Sequence, residues 1–404
     1  MEKKCIIVGV TAGIAAYKTC TLVSSLKKAG HDVHVLMSEN AMKFVSPLTF
    51  QTLSANRVIT DTFMTDWTPE VHHISLAHKA DAFVVAPASA DFIAKAANGI
   101  ADDMLTTTFL ASYCPKLVVP AMNTHMLENP ATQRNIAQLK QDGIMVMESD
   151  SGYLACGDTG RGRMPEADEI ADALGMALQN DKFLQGKKVV ISAGPTCEAI
   201  DPVRYITNHS SGKMGYALAR AARNAGADTV LVSGPSVLKA PYGVRICHIV
   251  SAADLAETVL EESEDADAVI MAAAVADYTP IETAKEKIKK SEGDLGIALK
   301  RTQDVLLELG KRKKAHQVLI GFAMETENLL ANAQKKLEGK NADYIVANSI
   351  ADQGAGFGVD TNKITILSHT GQKAFALMSK DDAAWTILKE CLEHDRGEKD
   401  AAGY

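Results

Sequence analysis

KVVISAGPTCEAIDPVRYITNHSSGKMG, residues 188–215, decides the fold of this chain. A β-branched run, Val189–Ser192, meets Gly194-Pro195-Thr196; after a polar loop, a helix is expected to begin at Ser210-Ser211-Gly212. Strand, glycine turn and helix start together form a phosphate-binding geometry. Free backbone N–H groups and the positive end of the helix dipole then face an anion. The chain makes such a turn once before, in KCIIVGVTAGIAAYK at 4–18. Two such starts imply two nucleotide- or phosphate-handling domains.

Around these turns, short apolar runs alternate with amphipathic stretches. Strands are expected in the first half at Cys5–Val10, Val33–Met37, Ala82–Ala86, Leu117–Ala121 and Ile144–Met147, with helices near 14–29, 89–98, 131–140 and 166–179. The second half offers strands at Val189–Ser192, Thr229–Ser233, Ala268–Ala272, Val318–Phe322, Tyr344–Ala347 and Ile364–Leu367. Nearly continuous apolar strands in a βαβα rhythm predict parallel sheets covered on both faces. The expected class is therefore α/β, with two Rossmann-like doubly wound domains. Four glycines in SGYLACGDTGRGR (151–163) read as a loop or flap, and Lys285–Gly296 as a mobile charged loop. The rhythm restarts near 181–187, which places the domains at 1–184 and 185–394, with a disordered tail at 395–404.

The net charge of −8 argues against a general nucleic-acid binder. Seven cysteines without a CxxC pair argue against a disulfide framework or zinc site and favour a reducing cytoplasm. Cys5–Val10 is too short for a signal peptide, and no apolar run approaches the ~18 residues of a membrane span.

Local chemistry leaves alternatives open. Gly9-Val10-Thr11-Ala12-Gly13 lacks the full dinucleotide fingerprint and suits a mononucleotide phosphate, or a purely structural turn. His72-His73 offer a general acid/base, or a surface or capping histidine. Asn123, just past a strand, offers amide donors to a carboxylate, or a turn. Cys156 on the flap offers a proton donor, or an idle thiol. Ser211-Gly212-Lys213-Met214 fails as a P-loop, because Thr207 and Met214 stand where glycine and Ser/Thr are required. Lys285, Lys287, Lys289, Lys290, Lys336 and Lys340 could converge on a triphosphate, or be solvated surface. Asp277, after MAAAVA, is a base-reading or metal-bridging carboxylate, or a cap.

The motifs taken together narrow these choices. The 9–18 turn, HISLA (73–77), APASAD (86–91), PAMN (120–123) and ACGDTGRGRM (155–164) make residues 1–180 resemble the homo-oligomeric flavin-containing cysteine decarboxylases, a flavodoxin-like fold. The resemblance implies FMN against Gly13, Ser38, Ser89 and Thr106, partly at a trimer interface. It implies His73 as the active-site histidine, Asn123 as the holder of the substrate carboxylate and Cys156 as the proton donor. FMN would oxidise the thiol carbon of a cysteine amide to a thioaldehyde, so that CO₂ can leave, and then return the electrons. Ala12 and Leu127 depart from the family pattern, the first where glycine and the second where an aromatic is usual.

SAGPTCEAIDPVRYITNHSSGKMG (192–215), AAAVADY (272–278), KIKK (287–290), GFAMET (321–326) and IVAN (345–348) make residues 187–390 resemble phosphopantothenate–cysteine ligases. That resemblance implies CTP with Mg²⁺, contacted by Met271, Ala272, Ala273, Asp277, Lys287, Phe322, Lys336 and Lys340, with Asp277 as the metal carboxylate. Lys287 would stabilise charge as the carboxylate attacks the α-phosphate, and Arg204 and Asn208 would hold the acyl-cytidylate for cysteine. The whole chain thus resembles the bifunctional enzymes of coenzyme A biosynthesis. They ligate cysteine to 4′-phosphopantothenate and then decarboxylate the product, as oligomers of trimeric decarboxylase and dimeric ligase units that together make a dodecamer. Another Rossmann-type oxidoreductase is disfavoured by the missing dinucleotide fingerprint. A non-catalytic binding protein is disfavoured by intact His73, Asn123 and Cys156.

Overall fold

The computed structural model describes residues 3–63, 72–155, 157–290, 295–325, 329–349, 356 and 358–393. The expected tail at 395–404 and Cys156 lie outside the described residues. The chain divides into two compact units, Met1–Asn180 and Asp181–Tyr404.

In unit 1, β1 (Cys5–Val10), α1 (Ala16–Lys28), β2 (Asp32–Met37), α2 (Pro47–Ser54), α3 (His72–Lys79), β3 (Ala82–Ala88) and α4 (Ala90–Ala97) come first. They are followed by α5 (Met104–Ala111), β4 (Lys116–Pro120), α6 (Thr124–Glu128), α7 (Pro130–Gln141) and β5 (Met145–Val146). Then come β6 (Asp150–Tyr153), β7 (Thr159–Arg163) and α8 (Ala167–Leu178). The sheet order is β2-β1-β3-β4-β5, all parallel. Every residue of β1 and β3 is buried, as expected of strands covered on both faces. Helix starts are written in the sequence. Ser46 caps α2 ahead of Pro47, Ser89 caps α4, and Asp103 and Thr106 form a capping box on α5. Gly9 admits α5 against the sheet: a Cβ there would lie 2.6 Å from Leu105 Cδ1. The expected flap at 151–163 is instead the antiparallel hairpin β6–β7.

Unit 2 begins with β8 (Lys188–Ala193), β9 (Cys197–Ala199), β10 (Tyr205–Thr207), α9 (Lys213–Asn224), β11 (Asp228–Ser233), β12 (Arg245–His248), α10 (Ala252–Glu262) and β13 (Ala268–Met271). There follow β14 (Tyr278–Pro280), β15 (Leu299–Arg301), α11 (Val305–Arg312), β16 (Val318–Glu325), α12 (Leu329–Gly339) and β17 (Tyr344–Ser349). It ends with β18 (Thr361–Asn362), β19 (Thr365–Ser368), β20 (Gly371–Ala374), β21 (Met378–Ser379) and α13 (Lys380–Leu388). The main sheet runs β12-β11-β8-β13-β16-β17-β19-β20. It is parallel through β17 and antiparallel from β19. The first six strands therefore follow the doubly wound order 3-2-1-4-5-6, which reverses between β8 and β13. One apolar layer joins α9 and α13 to one face of the sheet; a second joins α10, α11 and α12 to the other.

Candidate functional sites at the carboxyl ends of two sheets

In each unit several of the singled-out residues follow strands that flank the reversal of strand order. An open α/β sheet leaves its crevice there, beyond the carboxyl ends of the strands.

In unit 1 the reversal lies between β1 and β3. Gly13 follows β1, Ser38 follows β2 and Ser89 follows β3. The amide of Ser89 donates to Thr11 Oγ1 at 2.8 Å, and that hydroxyl donates to the Pro87 carbonyl at 2.7 Å. The β1–α1 and β3–α4 loops are thus tied to each other. Thr106 lies in the first turn of α5, which the Gly9–Leu105 approach brings to the end of β1. His73 sits in the first turn of α3, which packs against α5.

Asn123 is the N-cap of α6. Its Oδ1 accepts from His125 N at 2.9 Å, and its Nδ2 donates to Asp158 Oδ2 at 3.0 Å. Asp158 belongs to the tip of the β6–β7 hairpin. Main-chain contact fastens the hairpin to this loop. Met122 N donates to the Gly162 carbonyl (3.0 Å), and Thr124 Oγ1 donates to the Arg161 carbonyl (2.7 Å). Gly162 has φ +128, and a Cβ there would lie 2.1 Å from the Met122 carbonyl oxygen. A Cβ on Gly160 would lie 2.5 Å from Thr124 Oγ1. The GRG run is therefore a close backbone crossing rather than a loose flap.

In unit 2 a cleft of about 720 Å³ opens beside the reversal between β8 and β13. The loops beyond these strands are stitched together. Ala274 N donates to Gly194 O (2.9 Å), Ala273 N to Ser192 Oγ (3.1 Å) and Asn208 Nδ2 to Ala274 O (2.9 Å). Asn208, Met271, Ala272, Ala273, Asp277, Phe322, Lys336 and Lys340 all line the cleft. Lys336 Nζ donates to the Phe322 carbonyl at 2.7 Å, and Lys340 pairs with Asp304, the N-cap of α11. Burial, the largest single influence, would raise the Asp304 pKa, but the Lys340 bond, the Leu307 N–H and the charges of Lys340 and Lys336 together outweigh it and hold the carboxyl below its usual range.

Arg204 and Lys287 do not line the cleft. Their segments are docked on one another by hydrogen bonds through Ile288, so the expected mobile loop is in part anchored. The structure places the expected helix start at Gly212 and adds Lys213 and Lys380 to the cleft. Gly212, with φ +80, caps α9 and faces Gly194 across 3.4 Å of virtual Cβ contact. Lys213 reaches Asp360 Oδ1 at 2.7 Å, and buried Lys380 reaches the Val359 carbonyl at 2.6 Å. Burial, reinforced by Lys213, pushes the Lys380 pKa down. Lys213 was legible within SSGKMG but was set aside with the failed P-loop. Lys380 lies 108 residues beyond Ala272 and carries no motif.

Among the described residues, the one group of three metal-ligating side chains is Cys5, Asp32 and His34, at the amino ends of β1 and β2. Lys79 already partners it, 2.8 Å from Asp32 Oδ2 and 3.3 Å from His34 Nε2. The Lys79 hydrogen bond overrides burial and holds the Asp32 carboxyl far below its ordinary pKa. No described helix is long and apolar enough to cross a membrane.

Comparison with known proteins matches two family models to the two units. "Flavoprotein" covers residues 1–179, and "DNA/pantothenate metabolism flavoprotein C-terminal domain" covers residues 184–394. The Coenzyme A biosynthesis bifunctional protein CoaBC of Bacillus subtilis (strain 168) is 49% identical over 405 residues, spanning 99% of this chain and 100% of that protein. The protein of the same name from Haemophilus influenzae is 43% identical over 393 residues, 97% of this chain and 98% of its own. A crystal structure of the C-terminal domain of a CoaBC protein is 44% identical, covering 52% of this chain and 95% of that chain with a TM-score of 0.45.

Proposed function

The chain belongs to the family of bifunctional coenzyme A biosynthesis proteins, flavoprotein decarboxylase and phosphopantothenate–cysteine ligase in one polypeptide, and from that premise we propose how its own residues divide the work. The ligase unit joins cysteine to 4′-phosphopantothenate. The decarboxylase unit converts the product to 4′-phosphopantetheine.

For ligation we assign CTP as the activating nucleotide. The cleft beside β8 and β13 carries this reading, because it combines apolar strand ends that can cover a base with cations that can meet a triphosphate. Asp277 would share a Mg²⁺ with phosphate oxygens, the usual arrangement for an ion that binds through one or two carboxylates plus substrate. Lys336 and Lys340 bind phosphate charge. Lys287 stabilises the charge that develops as the substrate carboxylate attacks the α-phosphate. Asn208 and Arg204 hold the acyl-cytidylate for the amine of cysteine.

In the decarboxylase unit the residues suit FMN: hydroxyls of Ser38, Ser89 and Thr106 and two helix starts border the crevice, and a Cβ on Gly13 would meet nothing within 4 Å. Bound FMN supplies the reversible two-electron chemistry that makes loss of CO₂ possible. Asn123 orients the substrate carboxylate, and its present partner Asp158 must yield that amide. His73 serves as acid/base, and Cys156 delivers the final proton. The full enzyme is a homo-oligomer in a reducing cytoplasm, with trimeric decarboxylase and dimeric ligase units assembled into a dodecamer; exposed Ile14, Tyr17 and Leu48 offer apolar surface for assembly.

The test is mass spectrometry of products from FMN-loaded protein given 4′-phosphopantothenate, cysteine, Mg²⁺ and either CTP or ATP. CMP and 4′-phosphopantetheine with CTP, and neither product with ATP, are expected. Equal turnover with ATP overturns the nucleotide assignment.

A further inference from the structure

Asp201 carries a charge that the assigned chemistry does not use, yet the fold buries it to 2% exposure between β9 and β10. Its Oδ1 accepts from Val203 N and Arg204 N, both at 2.8 Å, which a local turn would explain by itself. Its second oxygen does something a turn does not need. Oδ2 accepts from Ile288 N at 3.1 Å, across 87 residues of sequence, and lies 3.6 Å from Arg204 Nε. Arg204 Nη2 in turn donates to the Ile288 carbonyl at 2.7 Å. Both main-chain groups of Ile288, the residue after Lys287, are therefore held. The carboxylate grips one, and the guanidinium beside that carboxylate grips the other. Two further bonds lay the same segment along β9: Ala284 N to Ile200 O at 3.0 Å and Thr283 Oγ1 to Ala199 O at 3.2 Å.

A buried carboxylate is tolerated only when its oxygens are filled. Burial alone would raise the Asp201 pKa, but the N–H bonds from Val203, Ile288 and Arg204 outweigh it and hold the carboxyl below its usual range. Asp201 therefore stays anionic at neutral pH, as a clamp on cations and amides requires.

We propose that Asp201 is a positioning residue of the ligase, which sets Lys287 and Arg204 in one register by gripping Ile288 between their segments. The inference rests on the reading that Lys287 and Arg204 serve ligation. It adds that the two do not find their places independently: the group that helps form the acyl-cytidylate and the group that presents it to cysteine share one anchor. Misplacing catalytic groups by ~1 Å can cost ~100-fold in rate. The nucleotide-binding residues of the cleft lie on other elements and keep their geometry.

The experiment uses full-length, FMN-loaded wild type and Asp201→Asn. Wild type must first show CTP-dependent ligation; if it does not, the functional reading fails, independently of this inference. Given that activity, Asp201→Asn is expected to lose ~100-fold in kcat for ligation while CTP stoichiometry by calorimetry is unchanged, and to slow pyrophosphate release and cysteine addition alike. Trypsin should cut after Lys287 and Lys289 faster than in wild type at a temperature where both proteins are folded. Asp201→Glu should recover part of the rate. Ile288→Pro, which deletes the N–H donor and leaves the carboxylate, should reproduce the kinetic loss even if Asp201→Asn folds poorly. Wild-type kcat in Ile288→Pro, or unchanged ligation and trypsin sensitivity in a folded Asp201→Asn, overturns the proposal.

Discussion

Substituting Gly162 by alanine should disable decarboxylation without touching ligation. At φ +128 the position suits glycine alone, and an L-residue there costs ~1–3 kcal/mol in backbone strain. The added Cβ would also lie 2.1 Å from the Met122 carbonyl, where ordinary contact begins at 3.4 Å, so hairpin and loop must part by 1.3 Å. That movement endangers three hydrogen bonds: Met122 N to Gly162 O, Thr124 Oγ1 to Arg161 O and Asn123 Nδ2 to Asp158 Oδ2. At ~1 kcal/mol each they contribute ~3 kcal/mol, comparable to the strain, so the hairpin should lift rather than the core yield. A separation above ~1 Å predicts a ~100-fold loss of kcat for decarboxylation of supplied 4′-phosphopantothenoylcysteine. Mass spectrometry of product gives the rate, and amide exchange at Met122, which should accelerate, gives the structural readout. Wild-type decarboxylation with unchanged exchange at Met122 would refute the claim that this backbone crossing sets the site.

Other consequences can be checked alongside it. Cys156→Ser should stop formation of 4′-phosphopantetheine and leave the cysteine adduct accumulating at the wild-type rate; continued decarboxylation removes Cys156 from its role. Lys287→Gln should do the reverse, abolishing CTP-dependent ligation and sparing decarboxylation of supplied substrate. Chelating Mg²⁺ with EDTA should halt CMP release but not CO₂ release, and a persisting CMP signal would strike out the metal at Asp277. Arg245 and then Lys188, against the opposing effect of burial, hold Glu262 at a pKa of about 2 instead of 4.5. A depressed carboxyl stabilises the fold above its unfolded pKa, and that contribution is lost as pH falls from ~4.5 toward ~2. Urea midpoints for unit 2 should drop across this window, and Glu262→Gln should flatten the drop.

Much of the fold was legible because buried parallel strands leave a strong mark. CIIVGV, KVVISA and AVIM are apolar without alternation, and the structure pairs all of them in register. Helices buried on several sides were harder. MLTTTFLA, which forms α5, shows little polar face, and HHISLAHK, which forms α3, opens with two histidines outside every expected helix. The β6–β7 hairpin was read as a loop because its glycines suggested freedom, whereas two of them answer a contact made elsewhere in the chain. The cleft was half legible. Residues on motifs at strand ends, such as Ala272 and Asp277, could be named in advance. Asn362 and Lys380 carry no motif and are brought to the cleft only by tertiary folding. The docking of Ile288 onto Asp201 likewise depends on a hydrogen bond between residues 87 apart, which no local pattern announces.

A crevice produced by the direction in which a sheet is wound needs no side chain carved away to make it, so it persists whatever lines it. The strands beneath can be conserved for packing while the turns above them drift, each change in the turns costing the fold little. Two sheets wound in different orders thus present the same kind of crevice, and two successive steps of a pathway can be encoded side by side without either inventing a new core.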